Sequence, residues 1–235
     1  MSKGVFAAVL VPIRREGWPF IAVFAVVTLG LGTLSSTLGW LGATATLWCV
    51  YFFRDPSRVT PTERGLIIAP ADGRILSVGP ALPPPELDME PVSRTRISIF
   101  MNVFDVHVNR IPIDGAIVKL AYRPGRFLNA SLDKASEFNE RQAVRIATSD
   151  GANIAVVQIA GLVARRILCW LDPGQAVAVG ERFGMIRFGS RVDVYLDDGM
   201  VPLAVVGQRA VGGETVIART LAPGENAAPR LGVER

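Results

Sequence analysis

The stretch "RISIFMNVFDVHVNRIPIDGAIVKLAY", from Arg96 to Tyr122, decides the fold class. Short runs rich in Ile and Val alternate in it with Asn, Pro, Asp and Gly, a pattern that is typical of strands joined by turns. Its Asp114-Gly115 pair is a turn dipeptide, and the same pair recurs at Asp72-Gly73, Asp150-Gly151 and Asp198-Gly199. The pattern therefore predicts a β-rich fold with tight turns.

The same pattern extends on both sides of this stretch, and within this β-rich part helices are predicted only near Leu132–Glu140 and Ala160–Trp170. Segments 65–79, 114–130 and 206–218 each combine a strand, a glycine turn and a second strand. This arrangement resembles the barrel-sandwich architecture of lipoyl and biotinyl carrier domains. A carrier needs a lysine at a hairpin tip, and no lysine of this chain has that context. The fold class is therefore mainly β (α+β), without a carrier function.

A long apolar segment, Gly17–Phe53, precedes the β-rich part and contains no charged residue. One helix of that length would be about 55 Å long, whereas the hydrocarbon core of a bilayer is about 30 Å thick. Its middle is rich in Gly, Ser and Thr, which favours a hairpin of two helices near Trp18–Leu34 and Leu38–Phe53. Basic residues flank both ends: Arg14, Arg15, Arg54, Arg58 and Arg64. By the positive-inside rule both ends would lie on the cytoplasmic side of the cell membrane.

Three domains are expected from these changes in composition. Residues 1–60 form the membrane-anchoring hairpin and linker, residues 61–222 the β-rich catalytic domain, and residues 223–235 a flexible tail. A hairpin buried in the core of a soluble protein is the alternative for the first domain. A cleaved signal peptide fits less well, because its apolar core would have only about 7–15 residues.

The composition excludes several classes of function. The net charge is only +4, and no basic run is interleaved with aromatic residues, so nucleic acid is not expected as a partner. Two cysteines, Cys49 and Cys169, lie far apart, which does not suggest a disulfide framework. A single histidine, His107, supplies a metal site poorly, so no metal is expected.

Three places carry residue types suited to acid–base and nucleophilic chemistry: Asp72 in "APADG", His107 in "FMNVFDVHVNRIP", and Gly189-Ser190. His107 could take the proton of Ser190 while Asp72 fixes the tautomer of the imidazole. Each has an ordinary structural explanation too: a turn aspartate, a packed histidine and a common dipeptide. A membrane-tethered serine hydrolase and a non-enzymatic barrel-sandwich adaptor therefore stay open, although "FGSRV" lacks the second glycine of a hydrolase elbow.

An ordered set of motifs is more specific than any single residue. "FFRDPSR", "APADG", "FMNVFDVHVNRIP", "FNER" and "FGS" follow one another between about Phe53 and Leu196. This order resembles the phosphatidylserine decarboxylases, and in particular their short form with an amino-terminal membrane segment.

The resemblance implies a proenzyme that cleaves itself between Gly189 and Ser190, with His107 as base and Asp72 as its orienting carboxylate. Ser190 would become a covalent pyruvoyl group, the cofactor of the mature enzyme. That group would form a Schiff base with phosphatidylserine and release CO₂ and phosphatidylethanolamine. The partners would be the bilayer with its phospholipid substrate and the cleaved α and β chains, and a homo-oligomer stays open.

Substrate-binding residues also follow from the resemblance. A phosphate diester calls for an arginine, for which Arg110, Arg126 and Arg141 are the candidates. Met101, Phe104 and Phe127 could line an apolar path for the acyl chains, although core residues would look the same and core packing is the favoured explanation.

The match has two departures. Longer members carry Leu-Gly-Ser-Thr at the cleavage site, whereas this chain has Phe188-Gly189-Ser190-Arg191. They also have a second histidine, and an alignment without gaps places Arg110 at that position. The roles of Asp72 and His107 follow less directly than that of Ser190.

Overall fold

The computed structural model of the chain describes residues 11–130, 138–161, 166–187, 189–222 and 224–225. Contacts divide the chain into two compact units, the first ending at Ser57 and the second beginning at Arg58. Except for Gly224 and Glu225, the predicted flexible tail lies outside the described residues, as does most of the helix predicted near Leu132–Glu140.

The first unit is a helical hairpin. A 3-10 turn (Arg15–Gly17) leads into helix α1 (Trp18–Leu34), and helix α2 (Ser36–Phe52) follows after one residue, Ser35, whose backbone is extended. That single extended residue reverses the chain because it interrupts the helical hydrogen-bond series. The predicted hairpin is confirmed, with the first helix at the predicted bounds.

Small residues bring the two helices close together. The hydroxyl oxygens of Thr28 and Thr46 are 2.9 Å apart, and a Cβ added to Gly39 would lie 3.0 Å from the Cα of Gly32. Such small-residue contacts are typical of helix pairs in lipid, where close packing replaces the hydrophobic effect. The run Arg15–Leu34 has the length and apolar composition to cross a bilayer, properties that signal sequences and core helices share. Several large side chains of this run and of α2 point outward: Val23, Val26, Val27, Leu29, Leu34, Trp40, Leu41 and Leu47.

The second unit is built from strands. Their bounds are β1 (Leu66–Ile68), β2 (Gly73–Ala81), β3 (Arg94–Met101), β4 (Val108–Arg110), β5 (Gly115–Arg123), β6 (Arg141–Ala147), β7 (Asn153–Ala160), β8 (Ile167–Cys169), β9 (Ala176–Val177), β10 (Arg182–Ile186), β11 (Ser190–Tyr195), β12 (Met200–Pro202), β13 (Arg209–Ala210) and β14 (Val216–Thr220). A short 3-10 turn, Pro85–Leu87, lies between β2 and β3. The predicted class, a mainly β domain preceded by hydrophobic helices, is confirmed.

These strands form one eight-stranded sheet and two three-stranded sheets. The large sheet has the order β13-β2-β3-β11-β7-β6-β5-β9, and the small ones have the orders β1-β14-β12 and β4-β10-β8. All pairs between these strands are antiparallel. The helix predicted over Ala160–Trp170 is wrong at its end, because Ile167–Cys169 pairs with β10 as a strand.

Strand β11 lies at the centre of the large sheet and is buried on both faces. Val192 and Val194 face the main core with the isoleucines of β3, whereas Tyr195 faces a smaller cluster around Leu87. Burying such side chains stabilises the fold by about 25 cal/mol per Å² of apolar surface. The central position of β11 therefore holds its first residue, Ser190, firmly.

Candidate active site

Ser190 begins β11 at one end of the large sheet. It stands opposite Met101, the last residue of β3, and Ala160, the last residue of β7. Its side chain is fully buried, and its Oγ donates a hydrogen bond to the Sδ of Met101 at 3.5 Å. A thioether is a weak acceptor. This contact therefore positions the hydroxyl but leaves its proton available for transfer.

Gly189 precedes this serine in a left-handed conformation, with φ of +65°. Side-chain-bearing residues pay about 1–2 kcal/mol to adopt that conformation, and glycine does not. A Cβ built on Gly161 would lie 2.1 Å from the carbonyl oxygen of Gly189. Two glycines are therefore needed here, one for its backbone conformation and one to leave space for the carbonyl. Phe188, the residue before them in the predicted cleavage sequence, lies outside the described residues.

His107 is completely buried beside the same segment. Its carbonyl accepts a hydrogen bond from the amide of Ile186 at 3.3 Å, and the next residue, Val108, pairs with Met185. The Nδ1 of the imidazole is 3.0 Å from the carbonyl oxygen of Asp105. A carbonyl can only accept, so Nδ1 carries the proton in this hydrogen bond. In the neutral ring Nε2 is then the basic nitrogen.

Asp72 is buried just before β2. Both its carboxylate oxygens contact Nη2 of Arg58, at 3.0 and 2.8 Å, and its Oδ1 also accepts the amide N–H of Gly212 at 2.8 Å. Nδ1 of His107 thus donates its hydrogen bond to the Asp105 carbonyl, while the Asp72 carboxylate is held by Arg58 and the Gly212 amide. The predicted role of Asp72 as orienting carboxylate stays a prediction.

The sheet brings these predicted residues to one end. Gly73, next to Asp72, begins β2, and a Cβ added to it would lie 2.2 Å from the carbonyl oxygen of Phe100 in β3. The amide of Arg110, three residues after His107, donates to the carbonyl of Pro70 at 2.8 Å. Together with the Ser190–Met101 pairing, these contacts place an aspartate, an imidazole and a hydroxyl around the end of β3.

Comparison with known proteins identifies the family. The profile of the family described as "Phosphatidylserine decarboxylase" matches residues 45–218, which is most of the chain and includes this end of the sheet. The chain belongs to the phosphatidylserine decarboxylase family.

Three curated relatives, each named phosphatidylserine decarboxylase proenzyme, agree with this assignment. The chain is 62% identical to the protein of Paramagnetospirillum magneticum over 207 residues, which cover 88% of the chain and 86% of the relative. It is 57% identical to the protein of Cereibacter sphaeroides over 218 residues, covering 93% and 94% respectively. The relative from Beijerinckia indica is 58% identical over 207 residues, covering 88% of the chain and 89% of that protein.

The three arginines considered for the substrate of this decarboxylase have different surroundings. Arg110 is buried, and its Nη1 donates to the carbonyl of Gly180 at 2.9 Å. Arg141 is buried and holds Glu86 with two contacts of 2.5 and 2.9 Å. Burial alone would raise the pKa of Glu86, but the hydrogen bond and charge of Arg141 bring that pKa below its usual value. Of the three, Arg126 alone is exposed.

The residues predicted for an acyl-chain path also differ in their burial. Met101 is fully buried under Ser190, and Phe127 is half-buried against the main core. Phe104 is 60% exposed on the loop after β3. Met101 therefore belongs to the core, whereas the aromatic ring of Phe104 is exposed on the loop that leads to His107.

Sequence reasoning missed an amide that fixes the end of β7. The Nδ2 of Asn139 donates to the carbonyls of Leu128 and Ala160, at 2.8 and 2.7 Å, and its Oδ1 accepts the amide of Leu128 at 2.9 Å. Ala160 pairs with Ser190 and adjoins Gly161, so Asn139 braces the backbone around the Gly189 carbonyl. The "FNER" motif contains this asparagine, but an amide is not a residue type that acid–base chemistry calls for.

Proposed function

We propose that the chain is a proenzyme that cleaves its own backbone between Gly189 and Ser190 and then decarboxylates phosphatidylserine. The observation that carries the proposal is the buried Ser190 hydroxyl next to a glycine with φ of +65°. A hydroxyl kept from bulk water beside an accessible carbonyl suits an intramolecular attack.

The cleavage would begin with an acyl shift. The Ser190 Oγ forms a bond to the carbonyl carbon of Gly189, and the peptide C–N bond breaks to leave an ester. The hydroxyl proton passes to Nε2 of His107 and from there to the released nitrogen. The hydrogen bond from Nδ1 to Asp105 supports this assignment, because it leaves Nε2 as the basic atom.

The ester would then undergo elimination. A base removes the Cα proton of Ser190, its Cβ–Oγ bond breaks, and Gly189 leaves as the carboxylate end of the β chain. The resulting dehydroalanine tautomerises to an imine, which water hydrolyses with release of ammonia. The α chain then begins with a pyruvoyl group at position 190.

The site residues fit such a group. Position 190 is fully buried, and its neighbours in the sheet are Met101 and Ala160, so the cofactor would be shielded from water. When formed, the pyruvoyl ketone would condense with the amine of the substrate and accept the electrons released as CO₂ leaves. His107 is the candidate to hold a proton for transfer to the product.

The substrate is a lipid, and we also propose that the hairpin anchors the enzyme in the cell membrane with the β-rich unit on the cytoplasmic side. Arginines at both ends of the apolar segment and the outward-facing apolar side chains of both helices support this orientation. Anchoring would keep the active site at a high local concentration of substrate.

Denaturing electrophoresis with intact-mass measurement tests the cleavage. The parent protein should run as two chains, the smaller one lacking a free amino group, and Ser190→Ala should stay whole and inactive. His107→Ala should mature slowly.

Ser98→Ala is the matched control, because Ser98 is a fully buried serine of the neighbouring strand and its loss should leave cleavage intact. Cleavage of Ser190→Ala at the parental rate would refute the proposal. An uncut parent with hydrolytic activity would favour the serine hydrolase.

A further inference from the structure

The loop that connects the Ser190 contact to His107 is closed by its own hydrogen bonds. The amide of Asp105 donates to the carbonyl of Asn102 at 3.0 Å, and the amide of Asn102 donates back to Oδ2 of Asp105 at 2.9 Å. The loop starts after Met101, which contacts Ser190, and ends before His107, whose Nδ1 is bound by the Asp105 carbonyl. The conformation at Asp105 therefore sets the position of the imidazole relative to the serine.

A distant residue holds this loop. The carboxylate of Asp105 is 2% exposed, and its Oδ1 accepts a hydrogen bond from Nη2 of Arg209 at 2.8 Å. Arg209 lies on β13, where it pairs with Arg74 and where the next residue pairs with Gly73. The ion pair thus joins β13 to the loop that carries His107.

The same segment reaches the second acidic residue of the site. Three residues after Arg209, the amide of Gly212 donates to Oδ1 of Asp72 at 2.8 Å. One short segment, Arg209–Gly212, therefore binds the carboxylates of both Asp72 and Asp105. After cleavage at Gly189-Ser190 this segment would belong to the α chain and both carboxylates to the β chain.

We propose that Arg209 is a positioning residue that acts on His107 through Asp105. The inference rests on the proposed self-cleavage and names the device that would align its base. In this role Arg209 holds the Asp105 loop, so that the Asp105 carbonyl keeps the proton on Nδ1. In the mature enzyme the ion pair would also join the α chain to the loop of the β chain that carries the imidazole.

A purely stabilising ion pair predicts a different result. The side chain of Arg209 is 67% exposed but the Asp105 carboxylate is 2% exposed, so loss of Arg209 leaves a buried charge without its cation and should lower the free energy of unfolding. A purely stabilising pair would show that loss of stability alone, whereas loss of alignment should also slow the proton transfer. The two explanations separate when unfolding, cleavage and the state of the imidazole are measured together.

The single histidine of this chain makes the imidazole directly observable. Full-length Ser190→Ala protein, labelled with ¹⁵N-histidine and carrying a histidine-free affinity tag, would give one set of ring nitrogen signals in detergent micelles. We expect the signals of an Nδ1–H tautomer in this background and averaged or altered signals after Arg209→Met. Arg209→Lys should restore most of the original signals, because it keeps a cation near Asp105.

Cleavage rates supply the second readout. With Ser190 intact, Arg209→Met should slow self-cleavage roughly tenfold and Arg209→Lys by less. Arg219→Met is the matched control: it removes another partly exposed α-chain arginine from an ion pair, with Glu225, and should cleave like the parent. Asp105→Asn offers an independent test if Arg209→Met fails to fold, and it should also slow cleavage.

The outcomes distinguish the two proposals. Parental imidazole signals together with parental cleavage in Arg209→Met would overturn the positioning role. An altered imidazole in Arg209→Met, in a protein whose parent never cleaves, would support the positioning pair and refute the self-cleavage instead.

Discussion

Gly189 would contribute to self-cleavage through its backbone conformation. This effect can be tested separately from a steric clash of an added side chain. Apart from the chain neighbours of Gly189, no described residue has an atom within 4 Å of a Cβ built at this position, so alanine would introduce conformational strain and no clash with these residues. The strain of about 1–2 kcal/mol should turn the carbonyl away from the Ser190 hydroxyl. We expect Gly189→Ala to fold and to self-cleave about tenfold more slowly, as measured by timed electrophoresis after synthesis.

The control for this variant is Gly174→Ala. Gly174 also has a positive φ, +84°, with open space where a Cβ would lie, and it is part of a turn away from Ser190. Equal slowing in both variants would show that the effect comes from general strain and not from the geometry of the cleavage site.

Arg126 is the arginine that we propose for the lipid phosphate, because it is exposed while Arg110 and Arg141 are buried with partners of their own. A charge-assisted hydrogen bond contributes about 1.5–3 kcal/mol. Arg126→Gln should therefore raise KM for phosphatidylserine roughly tenfold or more and leave self-cleavage unchanged. Arg64→Gln, an exposed arginine near β1, is the control in the same vesicle assay. An unchanged KM would remove Arg126 from the binding site.

At the residue scale, the sequence predicts which residues suit proton transfer better than it predicts which side chains form ion pairs with each other. Ser190, His107 and Asp72 were found because their residue types suit proton transfer and because their motifs occur in order. Asp105 and Arg209 were not found, since an ion pair across 104 residues leaves no local pattern. The binding of Asp72 by Arg58 was missed for the same reason.

Strand β11 carries a buried ion pair next to Ser190. Arg191 and Asp193 are both fully buried, and two guanidinium nitrogens contact the carboxylate at 2.6 and 2.8 Å. Removing one member of such a pair costs about 3–5 kcal/mol, because a charge is left in an apolar interior. Asp193→Asn should lower the free energy of unfolding by that amount in urea titrations of the uncut Ser190→Ala protein.

A double variant separates charge from packing in this strand. Arg191→Met with Asp193→Leu removes both charges and should recover much of the lost stability. If the double variant is less stable than Asp193→Asn, then hydrogen bonds to neighbouring strands and not the unbalanced charge dominate the cost.

The turn after β11 predicts a pH dependence of stability. Burial alone would raise the pKa of Asp197, but amide hydrogen bonds from Asn153 and Asp198 and the contact with Arg94 lower that pKa below its ordinary value of 3.8. The contribution of Asp197 is therefore present above pH 3.8 and is lost as the pH falls through the lower, folded-state pKa.

Asp197→Asn should accordingly be less stable than its parent at pH 7, and the difference should shrink as the pH falls below about 4. Chemical unfolding of Ser190→Ala proteins at several pH values measures this difference. Glu63→Gln, an exposed carboxylate outside the strands, controls for general charge effects. A difference that stays constant down to about pH 3 would contradict the assigned cause.

At the element scale, composition predicts elements but not their order in the sheets. The uncharged segment with a central Gly-Ser-Thr cluster is sufficient to predict the hairpin, and alternation with turn dipeptides is sufficient to predict the strands. The short strand β8 falls in a segment predicted as helix, because three apolar residues carry no distinctive period. The position of β11 between β3 and β7 depends on contacts between distant residues, which no local pattern encodes.

For the whole molecule, the two compact units correspond to a change in amino-acid composition. The first, which ends at Ser57, contains the two apolar helices, and the second carries the predicted catalytic residues from Asp72 to Ser190. Membrane attachment and cleavage chemistry should therefore respond to different mutations.

Leu29→Lys tests this separation. Leu29 lies in α1 and is 73% exposed, so in the proposed anchor it would face lipid. A lysine costs about 2.5–3.5 kcal/mol at the centre of a spanning helix and less toward its ends, so Leu29→Lys should move part of the protein out of the membrane fraction in flotation assays. Decarboxylation of phosphatidylserine in vesicles should fall with the attached fraction, while self-cleavage should proceed as in the parent.

Val59→Lys, an exposed position outside the helices, should change neither property. Full membrane attachment of Leu29→Lys with parental activity would place the anchor elsewhere, and loss of self-cleavage in this variant would show that the two units do not function independently.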